Sequence, residues 1–290
     1  MAGDFLNRIL ERKREEVEER KKAVPEEELA VRVQPGRERR PFLERLSTTG
    51  SGHLANIIAE IKRASPSKGP LDREMDAPAR ARAYESGGAA AVSVLTDHPF
   101  FQARPGDLES VRSAVRLPVL RKDFLISSYQ VYESAVMGAD AVLLIVRALS
   151  PALLESCLGL CADLGLDALV EVRSAEEMDA ATCAGARLIG INNRDLGTFR
   201  TDIRTSVELA GLLRPGQIAV SESGIHGREQ VKILLAAGIR NFLIGESLVK
   251  AADPERSLRH LLGTSPGESI EPVDSGKAAE GRAPAGEGRS

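Results

Sequence analysis

Between residues 56 and 262 the chain alternates two hydrophobic patterns: short apolar or β-branched runs, and longer segments whose apolar positions recur with helical spacing. The runs fall at 56–61, 89–95, 118–120, 141–146, 167–172, 188–191, 217–220 and 241–244. Most are continuously apolar, as in parallel strands buried on both faces. Helix signals separate them: Gly87-Gly88 closes the segment 79–86, Gly138 closes 129–137, Ser150-Pro151 opens another, and Gly238 closes 229–237. Strand starts recur every 21 to 33 residues, the length of one βα unit. Eight such units pack either as a closed parallel barrel or as an open doubly wound sheet. No GxGxxG follows the first run and no GxxxxGK occurs, so the nucleotide-binding open sheet loses its main support. The pattern predicts an α/β protein, a (β/α)8 TIM barrel over 47–263.

Residues 1–46 read differently. Phe5, Leu6, Ile9, Leu10 and Val17 lie at helical spacing among Glu11, Arg12, Lys13, Arg14, Glu15 and Glu16, an amphipathic N-terminal helical extension with a narrow apolar stripe. Its charges alternate in sign, which predicts a solvated face with pairs such as Arg12/Glu16 rather than a membrane patch. Residues 264–290 are rich in Gly, Pro, Ser, Glu and Ala and predict a disordered tail.

Composition narrows the function. The 290 residues carry 39 basic and 42 acidic side chains, net −3, which argues against a nucleic-acid binder that relies on positive charge. No apolar run approaches the ~20 residues of a membrane span, and the charge-dense N-terminus is unlike a secretory signal, so no membrane partner and a cytoplasmic location are expected. Three cysteines without CxxC and four scattered histidines predict no metal site. Cys157 and Cys161 share a helix face but read as small buried hydrophobes. With no conspicuous apolar surface stripe, a monomer is the default. Thr49-Gly50-Ser51-Gly52 reads as a flexible lead-in to the first strand.

The chemistry lies where the apolar runs end, because a charged residue at the carboxyl end of a barrel strand points into the mouth. Glu60 and Lys62 alternate onto one side of strand one, while Ile57, Ala59 and Ile61 face the helices. Strand three ends in Arg121-Lys122-Asp123-Phe124, strand five in Glu171-Val172, strand six in Asn192-Asn193-Arg194 and strand seven in Glu222-Ser223-Gly224. Buried ions cost several kcal/mol unless paired. Lysines and glutamates converging on one opening balance their charges and shift each other's proton affinity, the preparation for proton transfer. A salt-bridge network that only holds the barrel top together accounts for any one pair more easily than for all five strand ends. Glycines after strands seven and eight, Gly224 and Gly245, predict a phosphate grip built from backbone N–H groups.

The segments from Ile58 through Lys62-Arg63-Ala64-Ser65-Pro66-Ser67-Lys68 to Gly69, from Val119 to Phe124, from Ile189 to Leu196, and from Val220 to Ile225 resemble the indole-3-glycerol phosphate synthase family. The resemblance implies a (β/α)8 barrel whose N-terminal helix packs near the mouth. It implies ring closure, decarboxylation and dehydration of 1-(2-carboxyphenylamino)-1-deoxyribulose 5-phosphate, a small phosphorylated substrate, in tryptophan biosynthesis, with no cofactor and no metal. On the family's pattern Lys122 is the general acid and Glu171 the base. Lys62 steers the substrate carboxylate and shares the acid role, in a division the pattern leaves open. Glu60 sits between the lysines and the substrate hydroxyls, and Asn192 hydrogen-bonds the developing alcohol or the base. Ser223, Gly224, Gly245 and Glu246 hold the phosphate, the last two through their backbones. Phe124, Pro66 and Leu143 wall the anthranilate ring, and Ser65 orients the loop or the carboxylate. Arg194 contacts substrate or pairs with Glu222 at the rim.

Two positions depart from the pattern. Ala103 stands where glycine is expected, predicting a different turn after Phe100-Phe101-Gln102, and Glu246 stands where some members carry serine. A barrel isomerase of phosphorylated sugars competes with this reading, but its chemistry needs a Cys/Asp or Asp/Asp pair at strand ends that here hold Glu and Lys. A binding barrel without catalysis has no reason to bury four ionisable groups.

Overall fold

In the computed structural model, which describes residues 4–33, 38–50, 53–195 and 197–264, eight parallel strands close into a barrel. They are β1 (Asn56–Ile61), β2 (Ala91–Leu95), β3 (Val119–Lys122), β4 (Ala141–Ile145), β5 (Asp167–Val172), β6 (Leu188–Asn192), β7 (Ile218–Glu222) and β8 (Asn241–Ile244). Each pairs with its neighbour in sequence, and β8 pairs back onto β1. Helices follow every strand. The expected tail lies, from residue 265 onward, outside the described residues, as do Ser51 and Gly52 of the lead-in.

Period-2 alternation sorts the core into two layers. Ile57, Ala59 and Ile61 pack outward among the helices. Ile58 turns inward with Leu120, Leu143, Leu169, Leu188, Val220 and Leu243, so the barrel axis is packed hydrocarbon below the mouth. Strands β3 and β7 run beyond their apolar segments, to Lys122 and Glu222, because ladder pairing continues through the charged residues: Leu95 faces Lys122 and Asn192 faces Glu222 in register.

The extension forms three helices, α1 (Asp4–Ala23), α2 (Glu26–Arg32) and α3 (Phe42–Ser47). Pro25 and Pro41 stand at the N-caps of α2 and α3, where a missing N–H costs nothing. Leu6, Ile9 and Leu10 of α1 join the inner cluster at the mouth. At the other end the Leu43 N–H donates to Asp167 Oδ2 at 2.9 Å, tying α3 to the start of β5. Arg12 pairs with Glu16 at 3.6 Å, as its spacing predicts. The solvated face expected of α1 needs one correction. Lys13 is 1% exposed, its ammonium bound by Glu16 and Asp97 at 2.9 Å and by Asp123 at 3.0 Å. After β2 the left-handed residue is Gln102, at φ 56°, so Ala103 needs no glycine. Cys157 and Cys161 are buried, and burial pushes their thiols up to about 11 and about 12. Among the described residues no helix is long and apolar enough to cross a membrane.

Candidate active site

β1 aims Glu60 into the barrel, and the Lys62 Nζ lies 2.5 Å from Glu60 Oε1. Gly245, the first residue after β8, makes this pair possible: a Cβ there would strike Glu60 Oε1 and stand 3.0 Å from Lys62 Nζ. Across the mouth β3 presents Lys122, whose Nζ is 2.6 Å from Glu222 Oε2 on β7 and 3.7 Å from Glu171 Oε2 on β5. Glu222 is 1% exposed and its Oε1 has no hydrogen-bond partner among the described residues. That oxygen occupies the space over Gly190 on β6, where a Cβ would collide with it.

The electrostatics follow from this packing. Burial opposes charge on Glu60, yet Lys62 and Lys122 outweigh it and hold the carboxyl below the usual carboxylate range. Burial also opposes charge on Lys122, but Glu222, Glu171 and Glu60 raise its ammonium above the ordinary lysine value. Glu222 moves the other way: burial, reinforced by Glu171, overcomes the pull of Lys122 and pushes its carboxyl up to about 7.

These groups line one open cavity of about 1080 Å³, together with Ser65, Pro66, Phe124 and Leu143. Ser65 belongs to a short hairpin, Ala64–Ser65 with Gly69–Pro70, held at its base by the buried Arg63–Asp107 ion pair. Asn192 accepts a 3.0 Å bond from the Arg194 N–H through Oδ1, which leaves its amide as the donor. The Arg194 guanidinium donates to Ser67 Oγ at 3.3 Å and Phe199 O at 3.2 Å. The alternative of a rim pair with Glu222 is therefore corrected: Glu222 is bound to Lys122 at 2.6 Å, and the carboxylate beside Arg194 is that of Glu246.

At the far end Ser223 and Gly224 both adopt positive φ, 66° and 76°. Backbone strain at a non-glycine residue of this kind clusters at ligand sites. Gly245 and Glu246 complete this end of the cavity. The Glu246 carboxylate accepts from Lys250 at 2.7 Å and stands 4.0 Å from Arg194. Burial works against its charge, but Lys250, Lys68 and Lys62 hold it below the usual range.

Four contributors carried no strand-end signal. Phe5 and Ile9 of α1 and Phe199 close the mouth, and Phe101 packs against Phe124 with ring centres 6.2 Å apart. Phe5 meets Phe199 edge-on at 5.2 Å. Asn193 was also missed. Its amide holds Ser221 Oγ and Ser223 O at 3.0 Å, fixing the strained turn, and only its pairing with Asn192 in sequence hinted at a role.

A closed parallel barrel with an acid–base set under an aromatic-walled mouth is the architecture of a barrel enzyme built for proton transfer to a small ligand. The pattern of the indole-3-glycerol phosphate synthase family matches residues 6–261. Indole-3-glycerol phosphate synthase of Syntrophobacter fumaroxidans is 63% identical over 261 residues, covering 90% of this chain and 98% of that protein. Its namesake in Desulfosudis oleivorans is 51% identical, covering 90% and 100%. Among solved structures the barrel resembles thiamine phosphate pyrophosphorylase from Pyrococcus furiosus, with TM-score 0.55 and 16% identity over 72% of this chain and 93% of that one. It also resembles N-acetylmannosamine-6-phosphate 2-epimerase from Clostridium perfringens, with TM-score 0.51 and 15% identity over 69% and 93%. Likeness that distant shows the fold alone. The chain belongs to the indole-3-glycerol phosphate synthase family, carboxy-lyases acting on a small phosphorylated substrate.

Proposed function

We propose that this chain converts 1-(2-carboxyphenylamino)-1-deoxyribulose 5-phosphate to indole-3-glycerol phosphate, carbon dioxide and water, and that its cavity performs the steps as follows. Lys122 protonates the ketone oxygen while the ring carbon bearing the carboxylate attacks. Carbon dioxide leaves and the ring regains aromaticity. Lys62, steered by Glu60, binds the carboxylate and supplies a proton to the departing hydroxyl, and Glu171 takes one proton from the closing ring. Asn192 hydrogen-bonds the alcohol. Ser223, Gly224 and the N–H groups of Gly245 and Glu246 hold the phosphate, while Phe124, Pro66 and Leu143 wall the anthranilate ring, with Ser65 and Arg194 at the rim.

The observation that carries this reading is the convergence of Lys122 on Glu171 at 3.7 Å within the cavity that also holds the Lys62–Glu60 pair. An acid and a base meet one small molecule there. The reading includes a monomer working in the cytoplasm; large apolar residues exposed among those described, such as Val31, Val136 and Ile233, lie on separate helices. The test is direct. Purified protein mixed with the substrate, no metal added, should produce indole fluorescence against little background, since the chain has no tryptophan. Absence of the indole product at any protein concentration sinks the reading.

A further inference from the structure

The reaction proposed above does not balance within the acid–base pair alone. Two protons go to substrate, one on the ketone oxygen and one on the leaving hydroxyl, and one comes back to the base. The difference is the proton that replaces a carboxylate lost as neutral carbon dioxide, so each turnover leaves the site one proton short.

The inner cavity is built with a surplus of the right kind. Three carboxyl groups, Glu222, Glu171 and Glu60, act on Lys122; Glu60 is held by Lys62, with Arg194 also acting on it, which leaves Glu171 and Glu222 to share one ammonium. In a low-dielectric barrel the odd carboxyl keeps its proton. Glu60 has Lys62 at 2.5 Å. Glu222 has Lys122 on one oxygen only, at 2.6 Å, and its other oxygen is buried without a partner against Gly190. As a carboxylate it would bury negative charge on that oxygen with nothing to receive it; as an acid the oxygen is neutral and its burial costs far less. Lys122 from β3, Glu171 from β5 and Glu60 from β1 are the charged groups facing it, while its register neighbours Asn192 and Leu243 are uncharged.

We propose that Glu222 is the proton store of the site, refilling Lys122 within each turnover. The proposal rests on the synthase reading. As the Lys122 N–H bond breaks, the substrate O–H bond forms. The Glu222 O–H bond then breaks as a new N–H bond forms on the neutral amine, leaving carboxylate beside ammonium. Turning the carboxyl about Cγ–Cδ brings the protonated oxygen to Lys122, and Gly190, lacking Cβ, leaves room for the turn. Solvent returns the proton after carbon dioxide and product leave, so no further reactant is needed.

Glu222→Gln keeps the shape and the acceptor toward Lys122 but has no proton to give at working pH. Mixed rapidly with excess substrate, it should form about one equivalent of indole product and then slow by about tenfold or more, the scale of a lost proton donor. Imidazolium or acetic acid should restore the slow phase and leave the unaltered protein's rate unchanged. A linear progress curve, or a slow phase indifferent to these acids, overturns the store and leaves Glu222 a positioning residue. A second measurement uses the unaltered protein in excess over substrate, lightly buffered with a pH indicator. Proton uptake from solution should lag product formation, and uptake in step with product overturns the proposal. Failure of the unaltered protein to make product sinks the synthase reading instead, and is visible before any variant is made.

Discussion

Lys13 of α1 lies 3.0 Å from Asp123, the residue that follows Lys122 at the end of β3. The same ammonium binds Asp97, just beyond β2, at 2.9 Å. Asp123 in turn accepts from Thr96 Oγ1 at 2.6 Å and from the Phe124 N–H at 2.8 Å. The extension is thus bolted to the strand ends that carry the proposed acid and one wall of the cavity.

Removing the bolt leaves the buried Asp97 without its cation and Asp123 with Arg121 alone. Lys13→Met should destabilise the protein by about 3–5 kcal/mol, the cost of breaking a buried ion pair from one side, read as a lower urea midpoint. The pH dependence has a sign. Burial opposes the Lys13 charge, but Asp123 and Asp97 raise it, so its stabilisation is complete below about 10.5 and persists at neutrality. Burial likewise opposes charge on Asp123, but Lys13 and Arg121 hold its carboxyl far below the usual range. Its stabilisation is present above about 3.9 and fades as pH falls toward its folded value, partly offset by Asp97, which burial pushes up. Between pH 4 and 2 the unaltered protein should therefore lose more stability than Lys13→Met.

Lys122→Ala and Glu171→Gln should each lower kcat by about 100-fold or more, the scale of a lost general acid or base, with far-UV circular dichroism unchanged. Near-normal turnover in either variant would show that the proposed roles belong elsewhere.

Much of the site was legible in sequence because a barrel leaves a charged strand end only one place to go. Glu60, Lys122, Glu171 and Glu222 terminate or follow apolar runs on different strands, and closure delivers all four to one mouth. What pairs with what was not legible. Lys122 sits closer to Glu222 than to Glu171, a matter of rotamers and of the notch at Gly190. Lys13 read as solvent-facing because its own helix gives no sign of Asp97 and Asp123, which the fold brings from far along the chain. Phe199 reaches the mouth through a left-handed backbone at φ 57°, which no spacing rule announces.

With Glu222 pushed up to about 7, the protein as free enzyme keeps that proton below neutrality and loses it above. The first turnover uses the proton already on Lys122, so the store enters the repeating cycle. If the stored proton is required, kcat should fall as pH rises past about 7, while kcat/KM, which ends at the first irreversible step, should not follow it. The same limb should be missing from Glu222→Gln. A kcat profile flat from pH 6 to 9 in the unaltered protein contradicts the requirement.

Gly245 separates two explanations for one glycine. At φ −126° its backbone is not in the left-handed region that favours glycine, and a Cβ there would meet the Glu60 carboxylate, so the need for glycine is argued from space. The occupant of that space is the Glu60 carboxylate with Lys62 beside it, and the phosphate grip proposed for the same turn uses only its N–H. Gly245→Ala should therefore displace the Glu60–Lys62 pair, lowering kcat by about tenfold or more, while inorganic phosphate inhibits with an unchanged constant. Weakened phosphate inhibition at unaltered kcat would mean instead that the glycine serves the ligand's approach and that Glu60 can yield to a methyl group.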